Sequence, residues 1–169
     1  MDITIRHTLV NDEPATLKIR WLGWLSAYPH IFGVENINKH FENKDNDPAY
    51  HEECINRIKT NPNNYVAEAD GKVVATMIVK EVEKEDDFVE VMCLYVHPDY
   101  HRLGIGGKLY SLAKDIAKEH GIHKIHIEAL KDNHIGCSFY KKNGGKIINE
   151  RIRECCGISA TNVMFEFEI

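Results

Sequence analysis

Residues 94–109 read Leu-Tyr-Val-His-Pro-Asp-Tyr-His-Arg-Leu-Gly-Ile-Gly-Gly-Lys-Leu, and this run decides the fold. It passes from an apolar strand through a Pro-containing turn into a glycine-rich entry to an amphipathic helix. Glycines at 104, 106 and 107 remove side chains that would hold a ligand off the backbone. The first N–H groups of the helix can then point at an anion. The pattern reads as a pyrophosphate cradle. Two commoner glycine motifs fail on it. A P-loop needs Gly-x4-Gly-Lys-Ser/Thr, but Arg102 stands five residues before Gly107 and Leu109 replaces the hydroxyl residue. A dinucleotide fingerprint needs a third glycine or alanine three residues after Gly106, and that place is again Leu109.

Working outward, Ile3, Ile5 and His7 alternate as a first strand, and Asn11-Asp12-Glu13-Pro14 is a helix start whose helix runs to about Ala27. The pattern breaks over residues 28–33. A polar, turn-rich stretch at 43–47 precedes a second helix near 48–59. Residues 65–69 and 72–82 form a hairpin about Asp70-Gly71, and 88–96 a fourth strand. The third helix starts at Arg102 or Gly104 and runs to His120, with Ile105, Leu109, Leu112, Ala113, Ile116 and Ala117 at helical spacing and Gly121 closing it. A fifth strand at 124–130, a fourth helix at 133–143 and a final strand pair at 146–153 and 163–169 complete the chain. The fourth strand reaches the fifth through a helix, which makes that pair parallel in an otherwise antiparallel sheet.

A chain of 169 residues, 43% of them hydrophobic, is most simply one domain spanning 1–169, with a core that needs no metal or disulfide staple. Its net charge of −5 weighs against nucleic-acid binding and weakly favours a cationic substrate. The start lacks a basic segment followed by an apolar one, and no 18-residue apolar run exists, so a cytoplasmic protein without a membrane partner is expected. Cys54, Cys93, Cys137, Cys155 and Cys156 are odd in number and lack C-x-x-C spacing, so they read as reduced thiols. His97 and His101 are parted by Pro98 and a turn, and His123 and His126 lack a third ligand, so no metal site is expected.

Three details meet around the glycine run. The helix begins Gly104-Ile105-Gly106-Gly107. Asn133 opens the next helix, with Phe139-Tyr140 about two turns later, giving Asn-x6-Tyr. Glu90 lies on the strand leading into the turn. Together these resemble the GNAT superfamily of acyl-CoA-dependent N-acetyltransferases. The resemblance covers nearly the whole chain, and its specific parts are residues 94–108 and 133–144. The family's pyrophosphate signature is Gln or Arg, two residues, Gly, one residue, Gly or Ala. It falls on His101-Arg102-Leu103-Gly104-Ile105-Gly106, with His101 where Gln or Arg is usual. A second departure is Gly145 after Gly144, where an aromatic commonly follows.

The resemblance implies an α+β fold in three layers: a mixed, mostly antiparallel sheet with a splayed parallel β4/β5 pair and helices on both faces. It implies acetyl-CoA as cosubstrate, without metal, and a small-molecule or peptide amine as acceptor, and it leaves a homodimer open. It places cofactor contacts on Leu94, Tyr95, Val96, His101, Arg102, Leu103, Gly104, Ile105, Gly106, Gly107, Lys108, Asn133 and Tyr140. A bulge in the fourth strand would free the backbone groups of Leu94, Tyr95 and Val96.

Acetyl transfer to an amine needs the nitrogen lone pair, and deprotonating an alkylammonium of pKa about 10.4 at pH 7 costs on the order of 4–5 kcal/mol. By resemblance Glu90 removes that proton, often through water, against the plainer reading of an exposed strand Glu. Tyr140 matches the general-acid position that protonates the departing CoA thiolate, against a role in packing alone. Asn133 fixes the pantetheine arm, caps the helix, or both. Cys93 and Cys137 are the thiols near the expected site, so a covalent acyl-enzyme route would need one of them. Trp24, Tyr28, His30 and Phe32, together with the last strand pair, are expected to wall the amine site, the four with exposed aromatic rings, against the plainer reading of core packing for Trp21 and Trp24, which is preferred for Trp21. The alternative to an enzyme is a CoA-binding sensor or scaffold of the same fold without turnover.

Overall fold

The structure, a computed structural model, describes residues 2–169. Its elements are β1 (Ile3–His7), α1 (Glu13–Ala27), α2 (Pro29–Phe32), α3 (Val34–Asp45), α4 (Pro48–Thr60), β2 (Asn64–Ala69), β3 (Lys72–Val79), β4 (Val89–Val96), α5 (Ile105–Glu119), β5 (Lys124–Leu130), α6 (His134–Lys142), β6 (Lys146–Cys155) and β7 (Ile158–Glu168). The strands form one sheet in the order β1-β2-β3-β4-β5-β7-β6. Only β4 and β5 run parallel; every other neighbouring pair is antiparallel. No helix among the described residues is long and apolar enough to cross a membrane.

Helices cover both faces, and β4 shows why. Successive side chains point to opposite faces of a strand. Tyr95 packs on α1, where a Cβ on Gly23 would sit 2.7 Å from its ring. Val96 packs on α5, beside Gly106 and Phe139. The larger core lies between the sheet and α5, with Leu109, Ile105 and Ala113 meeting Met77, Val79, Ile125 and Phe167, all essentially without solvent contact. A second core gathers Leu17, Tyr28, Phe32, Ile37 and Phe41 from α1 to α3, and the far end of the β6–β7 hairpin folds onto it through Cys155, Cys156, Ile158 and Ala160. The 3-10 turn at Val10–Asp12 that leads into α1 is held by Asp12, which accepts from Arg6 Nη1 (2.6 Å), Arg6 Nη2 (3.0 Å) and the Leu9 amide (2.7 Å).

The structure differs from the sequence reading in three places. The segment after α1 is not a break: it contains α2 and then α3. Of α3 only Ile37 and Phe41 are buried, one turn apart, and its other residues are mostly polar, so a helix period is nearly absent. Strand β3 ends at Val79, before the acidic connection. Strand β7 begins at Ile158 rather than 163, because the hairpin turn is the pair Cys156-Gly157 and not a longer loop.

Candidate active site

The helix entry supplies donors. Gly104, at φ 79°, is the residue that precedes α5, and a left-handed conformation there is strained for any residue with a Cβ. The His101 amide donates to Pro98 O (3.1 Å) and the Lys108 amide to Gly104 O (3.0 Å). Between them the amides of residues 102–107 donate to no acceptor among the described residues. Six consecutive free N–H groups at the positive end of a 15-residue helix suit a diphosphate. Arg102, Leu103, Gly107 and Lys108 are exposed around them.

The predicted flank is different. His101 does not stand free beside the cradle: its Nε2 lies 3.0 Å from Val96 O. A carbonyl only accepts, so Nε2 carries the proton. The ring therefore braces the turn, and the exposed side chain of the signature is Arg102.

Next to the cradle the sheet opens. The β4–β5 ladder runs only through Val89↔Ile125, Glu90↔His126 and Val91↔Ile127. On the other side, Val79 pairs with Val91 but Ile78 with Cys93, so Met92 is an extra residue, and it is 57% exposed. Such a bulge turns the strand and ends its pairing. Beyond it, His97 N–H donates to Val74 O (2.8 Å), which fixes the alternation of the β3–β4 ladder. Thr76/Tyr95 is then also a hydrogen-bonded pair, and Tyr95 spends its peptide groups on β3. Leu94 and Val96 face the gap. Of the three residues expected to offer backbone groups, these two do so, with the Val96 carbonyl already engaged by His101.

Tyr140 of α6 lies 7% exposed against Phe139, Phe165 and Phe167. Burial raises its hydroxyl above the usual tyrosine range, with the neighbouring Tyr28, Cys93 and Cys137 adding to the effect. Its hydroxyl bonds to no group among the described residues. Gly145 makes this packing possible, since a Cβ there would lie 2.8 Å from the Phe167 ring and 3.0 Å from Tyr140 O. Asn133 does two things at once. Its Oδ1 caps α6 by accepting from Gly136 N (2.9 Å), and its Nδ2 donates to the Tyr28 hydroxyl (3.0 Å). Burial pushes Tyr28 up to about 12, and the hydroxyl of nearby Tyr95 accepts from Trp24 Nε1 (3.0 Å). The bonds Trp24–Tyr95 and Asn133–Tyr28 tie β4 and the start of α6 to the α1–α2 segment, and sequence reasoning missed both.

The exposed aromatic wall is not there. Phe32 is 2% and Tyr28 4% exposed, both in the second core, because α3 covers them. Trp24 is half-buried at the centre of that cluster, stacked on Phe32 and on His40. Only His30 of the four is exposed, with its ring 6.0 Å from that of His134. Trp21 is half-buried as well and donates to Asn38 Oδ1 (2.9 Å) at the surface, so it is less interior than expected.

Glu90 lies before the splay, half-buried on the face of β4 that carries Tyr95. It is near Arg151 but in no ion pair among the described residues. Neighbouring Glu128, by contrast, is clamped by Arg151 (2.5 and 2.7 Å) and Arg153, which hold its carboxyl below the usual range. Glu90 is thus a carboxylate on this face that no cation clamps among the described residues. Burial pushes the Cys93 thiol up to about 11 and also raises Cys137, whose Sγ donates to Leu130 O (3.4 Å).

The family model described as Acetyltransferase (GNAT) family matches residues 23–145. The chain is 27% identical over 152 residues to a spermidine N(1)-acetyltransferase of Thermoplasma acidophilum, covering 87% of this chain and 90% of that protein. Among solved structures it is similar to the PaiA N-acetyltransferase from Thermoplasma acidophilum in complex with coenzyme A (TM-score 0.79, 24% identity, all of both chains). It is also similar to the ribosomal-protein-S18-alanine N-acetyltransferase from Escherichia coli (TM-score 0.70, 18% identity, 99% of this chain and 94% of that one).

Proposed function

Because the chain belongs to the GNAT acetyltransferase family, we propose that it moves an acetyl group from acetyl-CoA to a primary amine by direct attack, with both substrates bound at once. The observation that carries this reading is the run of six free amides, residues 102–107, opening beside the gap where β4 leaves β5. The cradle amides hold the diphosphate, with Arg102 and Lys108 adding charge at its rim. Leu94 and Val96 offer peptide groups to the acetyl carbonyl and pantetheine arm, which the gap admits edge-on. Asn133 holds the arm's far side while tying α6 to Tyr28.

Glu90 takes the proton from the acceptor's ammonium, through water where the amine lies nearer the bulge. Tyr140 gives its hydroxyl proton to the sulfur as the C–S bond breaks. A raised Tyr140 is a weaker acid in water. In the same dry pocket, however, a thiolate is disfavoured too, so the transfer is matched by a shared environment. Burial pushes Cys93 up to about 11 and raises Cys137 above the ordinary thiol range, so little thiolate forms at neutral pH, which speaks against a covalent acyl-enzyme.

For the acceptor, the acidic connection with Glu81, Glu83, Glu85, Asp86 and Asp87 next to Glu90, and the likeness to a spermidine acetyltransferase, favour a polycationic amine. The test is a panel of amines mixed with acetyl-CoA while free CoA thiol is followed. Amine-dependent release, strongest for polyamines, is expected. Tight CoA binding with no amine accelerating release would make the chain a CoA-binding sensor or scaffold. Acetylation of a cysteine by acetyl-CoA alone would refute direct attack.

A further inference from the structure

The hairpin between β6 and β7 closes in two residues, Cys156 and Gly157, flanked by the pair Cys155↔Ile158. Both turn residues have positive φ, 56° and 72°, the tight geometry that Asn-Gly fills best. A Cβ in that conformation is strained, so a cysteine there is an awkward choice for the turn itself. The turn sets the Cys156 Sγ 3.7 Å from the Cys155 Sγ, half-buried against α1 to α3. His40 of α3 completes the group: its donor nitrogen and the two sulfurs all lie within 4.8 Å of one another. The imidazole is already oriented, stacked on Trp24 (5.2 Å, 11°) and edge-on to Phe41 (5.2 Å, 82°).

We propose that His40, Cys155 and Cys156 form a three-donor site for a thiophilic divalent cation, Zn2+ by donor chemistry, with its fourth position open to water. Two thiolates at about 2.3 Å from a tetrahedral zinc stand about 3.7–3.8 Å apart, so the sulfurs are already at the coordination edge. The imidazole has to close by up to about 1.3 Å to reach its own edge of about 3.5 Å, within the reach of a side-chain rotation. Two thiolates and one imidazole select zinc over magnesium or calcium, which take oxygen donors. On binding, each cysteine releases its thiol proton to solvent, and the two negative charges balance the cation. The metal would tie the hairpin tip to α3. Through the His40–Trp24 stack and the Trp24–Tyr95 bond (3.0 Å) it would stiffen the wall beside the β4 bulge.

The full chain, reduced with a phosphine, is titrated with Co2+ as a coloured probe and then with Zn2+. One equivalent of Co2+ is expected to give a thiolate-to-cobalt charge-transfer band that one equivalent of Zn2+ abolishes. Zinc at about a hundredfold excess over Kd is expected to raise Tm by about 5–10 °C. Cys156→Asn places the residue the turn prefers, so it folds at least as well, yet it loses the band. His40→Phe keeps an aromatic ring on Trp24 and weakens binding at least tenfold. Cys54→Ala, away from the site, keeps the band. Absence of the band in the natural chain, or its survival in Cys156→Asn, overturns the proposal. These readouts do not depend on acetyl transfer, so failure of the enzymatic reading leaves them standing.

Discussion

Replacing Tyr140 by Phe separates chemistry from packing more cleanly than any other change at the site. The ring is 7% exposed and touches Phe165 (5.3 Å between centroids) and Phe167 (6.2 Å), contacts that Phe keeps. The hydroxyl bonds to no group among the described residues, so its loss leaves no protein donor or acceptor orphaned. The stability change is expected within about 1 kcal/mol, a Tm shift of at most about 4 °C. General acids contribute roughly 10²–10⁴-fold. CoA thiolate is a tolerable leaving group unaided, so the lower end applies: kcat falls about 10²-fold, or about 2.7 kcal/mol of barrier. Kd for CoA changes by less than about threefold, because the cradle lies on another element. Burial raises the Tyr140 pKa, so the proton is retained through the whole range below pH 10. The variant therefore lowers the plateau of the pH–rate profile and leaves its acidic limb in place. Steady-state kinetics, a single-turnover experiment and thermal unfolding supply the readouts. A kcat within twofold of the natural chain, with chemistry shown to be rate-limiting, refutes Tyr140 as the acid.

The remaining expectations concern the frame that holds the site. Gly104→Ala puts a Cβ at φ 79° and should cost about 1–2 kcal/mol. It should also weaken CoA binding, whereas Gly104→Asn, tolerant of that conformation, recovers part of both in unfolding and calorimetry. Gly23→Ala drives a methyl to 2.7 Å from the Tyr95 ring. It should destabilise by about 1–3 kcal/mol and raise the acceptor KM more than the acetyl-CoA KM, because it disturbs Trp24–Tyr95 rather than the cradle. The Arg6 guanidinium holds the Asp12 carboxyl below its usual value. Its contribution is therefore fully present above about pH 4, the unfolded value, and is lost as pH falls through the lower folded value. Asp12→Asn should cost about 2–4 kcal/mol at pH 7, with the gap to the natural chain closing in acid; a gap independent of pH would remove the ion pair from the account.

How much of this was legible depends on whether the information is local. The glycine-rich helix entry could be read because its requirements sit on adjacent residues: a positive φ at 104 and small residues in the first helical turn are local to the backbone itself. The Asn133 cap and the spacing to Tyr140 were legible for the same reason. The splay was not. Met92 is one more apolar residue in an apolar strand, and only the pairing with Ile78 and Val79, more than ten residues away, makes it the extra one. The bond between Asn133 and Tyr28 joins positions 105 apart and has no sequence signature at all.

The aromatic segment was misread because α3 was invisible. Trp24, Tyr28 and Phe32 look like an exposed wall only when nothing follows to cover them. Once α3 is laid over them they become the rigid backing of the site, and their polar atoms point inward, to Tyr95 and Asn133. That relocation constrains where acceptor selectivity can reside. A backing held by hydrogen bonds on both sides cannot adapt to different amines without breaking a bond that buried groups need. The variable surface is then sought in two segments outside the network: the acidic β3–β4 connection, which leads into β4 just before Glu90, and the β6–β7 hairpin with Arg151 and Arg153. Glu128 is shared between those two arginines, which leaves the three groups with a net positive charge. Positive charge on the acceptor is therefore best met from the β3–β4 side, and exchanging Glu81, Glu83 and Glu85 for Gln should raise KM for polyamines while leaving KM for a small monoamine nearly unchanged. Equal loss for both amines would place acceptor recognition on the hairpin instead.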